Sequence, residues 1–277
     1  MNQRVTPNRG PALLDSVAGR LTTAVGAAFP GERAVFRGHD LHADLAHKSW
    51  IDLHLFGITG RHFVADDLRL LEAVWTHTSY PDARIWNNRV AALAGSARST
   101  GPLGVAAALA VSEAKAYGLG ACLRVFDFLQ QLQQQIAAGV SLPDALASAL
   151  VGRRSLAGYD RPLARGDERI EPMLKLAADT GHADGTYLKL AQAVDCLLIE
   201  QGKPWRMNYA ALAAALPMDL GLNRRQYELF MMSVFFAGMP PCYIEAADKP
   251  EGTLFPTACT QIVYQGPAQR EWPANKP

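Results

Sequence analysis

The chain has 277 residues, a formal net charge of +1, 19% charged residues and 49% apolar residues. That length can bury a substantial core as one large domain or two lobes, and the near-neutral charge leaves no electrostatic footprint for nucleic acid. The segment Met1–Gly10 is polar and lacks the apolar core of a signal peptide. No uncharged apolar run approaches the ~18 residues of a membrane span, so a cytoplasmic protein with no membrane partner is expected.

Alanine and leucine dominate and β-branched runs are few, which favours an all-α fold. Leu13, Leu14, Val17, Leu21 and Val25 predict an amphipathic helix over Pro11–Phe29. Val35–Leu41 reads as a short strand and turn. Ser49-Trp50-Ile51-Asp52 has the form of a helix cap, opening a short helix that Gly57 and Gly60 end. Helices follow over Asp66–Thr78 and, after Tyr80-Pro81-Asp82, over Trp86–Ala97. The stretch Gly101–Tyr117 is so rich in small residues that it predicts a helix packed closely on others. Leu119–Ala138 is a long helix with a glutamine-rich face, and Ser141-Leu142-Pro143-Asp144 opens the next. Further helices are predicted over Glu168–Thr180, Asp184–Gln201, Asn208–Leu216 and from Asn223 to Phe236, with Gly238-Met239-Pro240-Pro241 as the stop. The tail reads as a short extended arm.

The cysteines Cys122, Cys196, Cys242 and Cys259 form no CxxC pair, so reduced and mostly buried thiols are expected. His39, His42 and His47 with Asp40 and Asp44 do not match zinc spacing, and no metal site is predicted there. The run Gly95–Gly101 lacks the lysine and the strand–loop–helix order of a phosphate-binding loop.

The densest chemistry lies in Gly158–Arg169, where Asp160, Arg161, Arg165, Asp167, Glu168 and Arg169 crowd into a loop of an otherwise apolar chain. Guanidinium groups at such density suit a bound carboxylate or phosphate. The spacing of Asp160-Arg161 and Asp167-Glu168-Arg169 resembles the citrate synthase motif, in which Asp-Pro-Arg follows a histidine by seven positions. Aspartate stands here in the histidine's place. Other segments fit the same family in order: Phe36-Arg37-Gly38 with Asp44-Leu45-Ala46 and Ser49, Leu55-Phe56-Gly57, Asn208 with Gly221, Gly238 with Glu245, and Tyr264-Gln265-Gly266 with Arg270.

The resemblance to the citrate synthase superfamily implies an all-α homodimer, with a large helical domain (1–118 and 216–277) and a smaller helical lobe (119–215) that closes over substrate. It implies carbon–carbon bond chemistry between an acyl-CoA and a small carboxylate. No bound cofactor is expected, and a CoA thioester would enter as substrate. Carried over residue by residue, the family's catalytic aspartate falls on Ala210 and one of its histidines on Tyr117 or Gly118. Ser79 and Asp82 take the positions of another histidine and an asparagine, and Phe235 and Phe255 those of two arginines. Ordinary citrate synthesis lacks its base at Ala210, and a dicarboxylate lacks its partners at the two phenylalanines. The candidate catalytic residues are therefore Asp160, as a base or as a mere tether of Arg161 or Arg169, and Tyr117. Tyr117 is either a donor to an oxyanion or a buried tyrosine satisfied by backbone. The candidate substrate-binding residues are Arg169, Arg161, Arg165, Ser79, Asp82 and Arg84, with helix capping as the other reading of the Asp82–Arg84 turn. The other overall reading is a non-catalytic relative that binds a metabolite, or another reaction on the same fold.

Overall fold

The computed structural model describes residues 11–19, 21–161 and 166–272. Among the described residues helix accounts for 54% and strand for 4%, as the expected all-α class requires. Contacts divide the molecule into two compact units. The first comprises Met1–Ala73 and Phe126–Phe230, the second Val74–Val125 and Met231–Pro277.

The first unit begins with α1 (Pro11–Val17) and a three-stranded antiparallel sheet of β1 (Gly26–Phe29), β2 (Arg33–Phe36) and β3 (His39–Asp40). The helix predicted over Pro11–Phe29 is therefore corrected. Leu21 is 94% exposed, so no helical apolar face continues there, and Gly26–Phe29 pairs with β2 instead, Gly26 opposite Phe36. The predicted strand and turn at Val35–Leu41 is a tight hairpin, with Arg37 and Gly38 at φ 47° and 86°. Arg37 donates from Nε and Nη2 to the Gly57 carbonyl at 3.0 and 2.7 Å, which ties the hairpin to α2 (Trp50–Thr59). Ser49 caps α2 by accepting from the Asp52 amide, and Gly60 ends it in the left-handed region, while Gly57 lies inside the helix.

The centre of this unit is α10 (Tyr209–Asp219), in which Ala211–Met218 are all buried. Its alanines permit close approach of α9 (Thr186–Glu200) and α8 (Ile170–Asp179), and α9 also meets α7 (Leu142–Leu150). Asp219 caps α9, its carboxylate accepting from the Tyr187 and Leu188 amides at 2.8 and 2.9 Å.

In the second unit α4 (Trp86–Ser96), α5 (Gly101–Val111) and α12 (Met239–Ala247) pack on one another. Gly95 is needed for this contact, since a Cβ there would meet the Tyr243 carbonyl. Ala91, Ala108 and Met239 form a fully buried nucleus against which Val105, Phe235 and Tyr243 pack. The apolar helix predicted through Phe236 ends at Val234, ahead of the predicted stop at Gly238–Pro241, but an unpredicted helix, α12, starts there, with proline in its first turn, where a missing amide hydrogen is harmless. The helix predicted to run to Tyr117 ends at Val111, and a turn carries the chain to α6 (Leu119–Ala137).

The chain passes between the units within α3 (Ala65–Thr78), α6 and α11 (Arg224–Val234). Among the described residues one stretch, Arg224–Ala247, is long and apolar enough to cross a bilayer by composition, which the sequence reading did not expect. A turn after Val234 divides it into α11 and α12, and Tyr227, Phe230, Val234 and Met239 are fully buried, as core residues are. All four cysteines are free; Cys122 and Cys242 are buried, Cys196 and Cys259 exposed.

Candidate functional site

The charged loop of the first unit is organised by one carboxylate. Asp167, 1% exposed, accepts from Arg169 Nε and Nη2, both at 2.7 Å, and from the Tyr209 amide at 2.9 Å. The Arg169 guanidinium lies 4.5 Å from the centre of the Tyr209 ring. Arg161 is 3.8 Å from Asp167 and is held by Glu168 at 2.7 Å and by the Gly166 carbonyl at 2.9 Å. Burial raises the Asp167 pKa, but the two Arg169 bonds, the Tyr209 amide and the nearby positive charge together outweigh it, and the net shift is downward.

Asp160 is placed differently from either sequence reading of it as a tether. Its side chain is exposed and its carboxylate makes no hydrogen bond or ion pair among the described residues. The tethering of Arg169 falls to Asp167. What fixes Asp160 is its backbone: Asn208 donates from its side-chain amide to the Asp160 carbonyl and from its own backbone amide to the Gly158 carbonyl, each at 2.8 Å. The same side chain accepts from the Ala210 amide at 3.0 Å, capping α10. One asparagine thus joins the loop to the helix that carries Ala210. Tyr159 anchors the loop from below, fully buried and donating to the Ala191 carbonyl at 3.0 Å. Arg165 lies outside the described residues.

The remaining candidates lie in the second unit. Ser79 donates to the Trp75 carbonyl at 2.7 Å, closing the end of α3. Asp82 accepts from the Arg84 backbone at 2.8 Å and from its guanidinium at 2.7–3.1 Å, and these bonds lower the Asp82 pKa. Asp82 and Arg84 line an open cleft of about 730 Å³ with Glu245, Lys249 and Phe255. Ser79 and Tyr117 are not in its lining. Tyr117 is 54% exposed, with its ring 6.4 Å from that of Trp86, so the buried, backbone-satisfied tyrosine weighed from the sequence is corrected. Gly118 has φ 68°, and a Cβ there would meet the Ser112 carbonyl and the Trp86 ring.

The structure therefore brings Arg161, Asp167, Glu168 and Arg169 together with the backbone of Asp160, and separately pairs Asp82 with Arg84. The organising roles of Asp167 and Asn208 were missed. An acid two residues before an arginine, and an asparagine opening an alanine-rich helix, were the available signals. Phe235 packs against the apolar nucleus of the second unit, and Phe255 carries the Arg89 guanidinium 5.3 Å above its ring. His39 stacks edge-on with Phe56 and His62. No cluster of three metal-ligating side chains occurs among the described residues.

No protein-family model matches the sequence, and no curated protein resembles it significantly. Solved structures do resemble it in shape. Citryl-CoA lyase from Hydrogenobacter thermophilus superposes with a TM-score of 0.77 at 18% identity, over 91% of this chain and 97% of that one. ATP citrate lyase from Methanothrix soehngenii, in complex with citrate and coenzyme A, gives 0.72 at 14% identity, over 95% of this chain and 45% of that one. Citrate synthase from Thermoplasma acidophilum, with carboxymethyl coenzyme A and oxaloacetate, gives 0.65 at 16% identity, over 81% of this chain and 59% of that one. The chain thus spans less than two thirds of the latter two proteins. With its helix order and these likenesses together, the chain has the fold of the citrate synthase superfamily.

Proposed function

We propose that this chain is a divergent citrate synthase-like enzyme that makes or breaks a carbon–carbon bond in a small acyl-thioester or carboxylate substrate, and that it does not perform ordinary citrate synthesis. The observation that carries the proposal is that one charged loop of this fold carries both an arginine held by Asp167 and the backbone-fixed, exposed Asp160. Arg169 binds one carboxylate of the substrate. Asp160, which is solvent-accessible, takes a proton, either from a carbon next to the thioester in condensation or from a hydroxyl in cleavage.

Cleavage is favoured over synthesis by the match to a citryl-CoA lyase over nearly all of that protein's length. The test is to incubate the pure protein with citryl-CoA, with acetyl-CoA plus oxaloacetate, and with a panel of short acyl-CoA esters. Acyl-CoA breakdown or formation is followed by chromatography. Turnover of a small acyl-CoA that disappears in Asp160→Asn supports the proposal; turnover that survives in that variant removes Asp160 from it.

A second reading is favoured by Ala210, Phe235 and Phe255, which lack the family's base and cations. In that reading the protein binds a carboxylate or acyl-CoA without converting it. Binding of these compounds with no turnover of any would select it.

The proposal includes a homodimer. Its support is α5, whose Leu103 is 66% exposed and whose Ala106, Ala107, Ala110 and Val111 are exposed beside it on an uncharged helix.

A further inference from the structure

We infer that His182 is a pH-sensitive clip: as an imidazolium it fastens the turn between α8 and α9 to the first turn of α3, and on losing its proton it lets that attachment loosen. Both ends of the clip are set by backbone. Gly181, at φ 77°, ends α8 in the left-handed region, and the His182 amide donates back to the Ala177 carbonyl at 2.6 Å, so the ring projects from a closed helix terminus. At the other end Asp67 accepts from the Val64 amide at 3.3 Å through Oδ2 and presents Oδ1 to His182 Nε2 at 2.9 Å. Asp67 lies in the part of α3 that belongs to the first unit, as His182 does.

The hydrogen bonds set the protonation that the clip needs. The Thr180 hydroxyl, on a residue only 7% exposed, donates to the Leu176 carbonyl at 2.8 Å, which leaves its oxygen as the acceptor facing His182 Nδ1 at 3.0 Å. An Asp67 carboxylate can only accept. With an acceptor at each side both ring nitrogens must donate, and only imidazolium carries two N–H groups. The neutral ring has one. It either turns a lone pair toward Asp67 or draws the Thr180 hydroxyl away from Leu176, and in both cases the attraction between opposite charges is gone. The side chains of His182 and Asp67 are 17% and 20% exposed, so water screens them less than a surface pair.

A second carboxylate feels the same ring. Burial raises the pKa of Asp219, at the end of α10, while the Tyr187 and Leu188 amides and the positive charge of His182 oppose that rise. Loss of the His182 proton therefore removes a cation shared by acids on α3 and α10. The other charged groups of these turns have partners of their own: Asp184 has Lys189, Asp179 has Lys175, Asp66 has Arg69, and Arg61 is bonded to the Leu220 and Gly221 carbonyls. The closed form holds the proton more firmly than the open one, so closure is favoured as pH falls and is lost as pH rises. Histidine is the side chain whose charge changes near neutrality. The two attached segments lead to both groups of candidate residues, since α8 begins after Arg169 and α3 runs on toward Ser79 and Asp82.

The experiment is hydrogen–deuterium exchange of the full chain at pH 6 and pH 8, read by mass spectrometry and corrected for intrinsic pH dependence with an unstructured peptide. In the wild type, protection over 61–72 and 176–188 should fall about tenfold or more from pH 6 to pH 8, with α10 unchanged. His182→Gln, which cannot carry the charge, and Asp67→Asn, which keeps an acceptor for the Val64 amide, should show the lower protection at both pH values. Equal wild-type protection at the two pH values, or a fall that survives in His182→Gln, would overturn the clip. If neither variant folds, the imidazole 1H–15N spectrum of the wild type decides. Among the seven histidines, one ring should show two N–H protons that resist exchange with water at pH 6 and keep only one at pH 8; the absence of such a ring would overturn the clip.

Discussion

Asn208 donates its side-chain amide to the carbonyl of Asp160 at 2.8 Å, across 48 positions of sequence. Because Asn208 also caps α10, the position of the exposed Asp160 and the start of the helix bearing Ala210 are set by one side chain. The loop that bears Asp160 is thereby bonded to the first turn of that helix.

Replacing Asn208 by alanine removes the cap and leaves the Asp160 carbonyl without its donor. Loss of an N-cap costs about 1 kcal/mol. Urea unfolding of Asn208→Ala should show a loss of that order. Any Asp160-dependent activity should fall further than the stability loss explains, because the Asp160 carbonyl loses its side-chain donor while only the backbone bonds from residues 208 and 209 still hold the loop to the helix.

Ordinary citrate synthase activity should be absent. On the placement proposed for Ala210, Phe235 and Phe255 the general base is missing, which costs on the order of 10²–10⁴ in rate, and oxaloacetate lacks its cations. Robust release of CoA from acetyl-CoA and oxaloacetate by the purified protein would show that Ala210 does not occupy the base's position. With a substrate that is turned over, Asp160→Asn should abolish the rate while leaving the melting temperature unchanged, since the carboxylate makes no contact among the described residues.

The Asp167 pKa is lowered in the folded chain, so its contribution to stability is present above the unfolded value of about 3.9 and is lost as pH falls through the folded value. Chemical denaturation between pH 7 and pH 2 should show this loss in the wild type. In Asp167→Asn that part of the acid dependence should be missing. At pH 7 the variant should be less stable by about 1–3 kcal/mol, as for a buried charge-assisted hydrogen bond.

Light scattering at micromolar concentration should give a dimer. Leu103→Glu on α5 should convert it to a folded monomer, because an ionised carboxylate in the centre of an apolar interface is costly. A wild-type monomer would remove α5 as an interface.

The sequence by itself determined those helices whose signals are local caps and apolar spacing: Ser49 and Ser141 open α2 and α7, and Trp86 begins α4, as read from their neighbours alone. The resemblance of several short motifs in order pointed to the fold that the solved structures share. Where local signals were weak, partners elsewhere decided. Gly26–Phe29 has helical composition but becomes a strand because β2 supplies its hydrogen bonds. Gly238–Pro241 looks like a stop, yet the packing of α12 on α4 and α5 sustains a helix beyond it. The charged loop was legible as a cluster, but not which acid held which arginine. Asp160 and Asp167 are equal in sequence as partners of Arg169, and only the Tyr209 amide, 42 residues from Asp167, draws one into the protein and leaves the other exposed to solvent. Burial and long-range amide donors distinguish two carboxylates of the same type, and neither is written in the residues beside them.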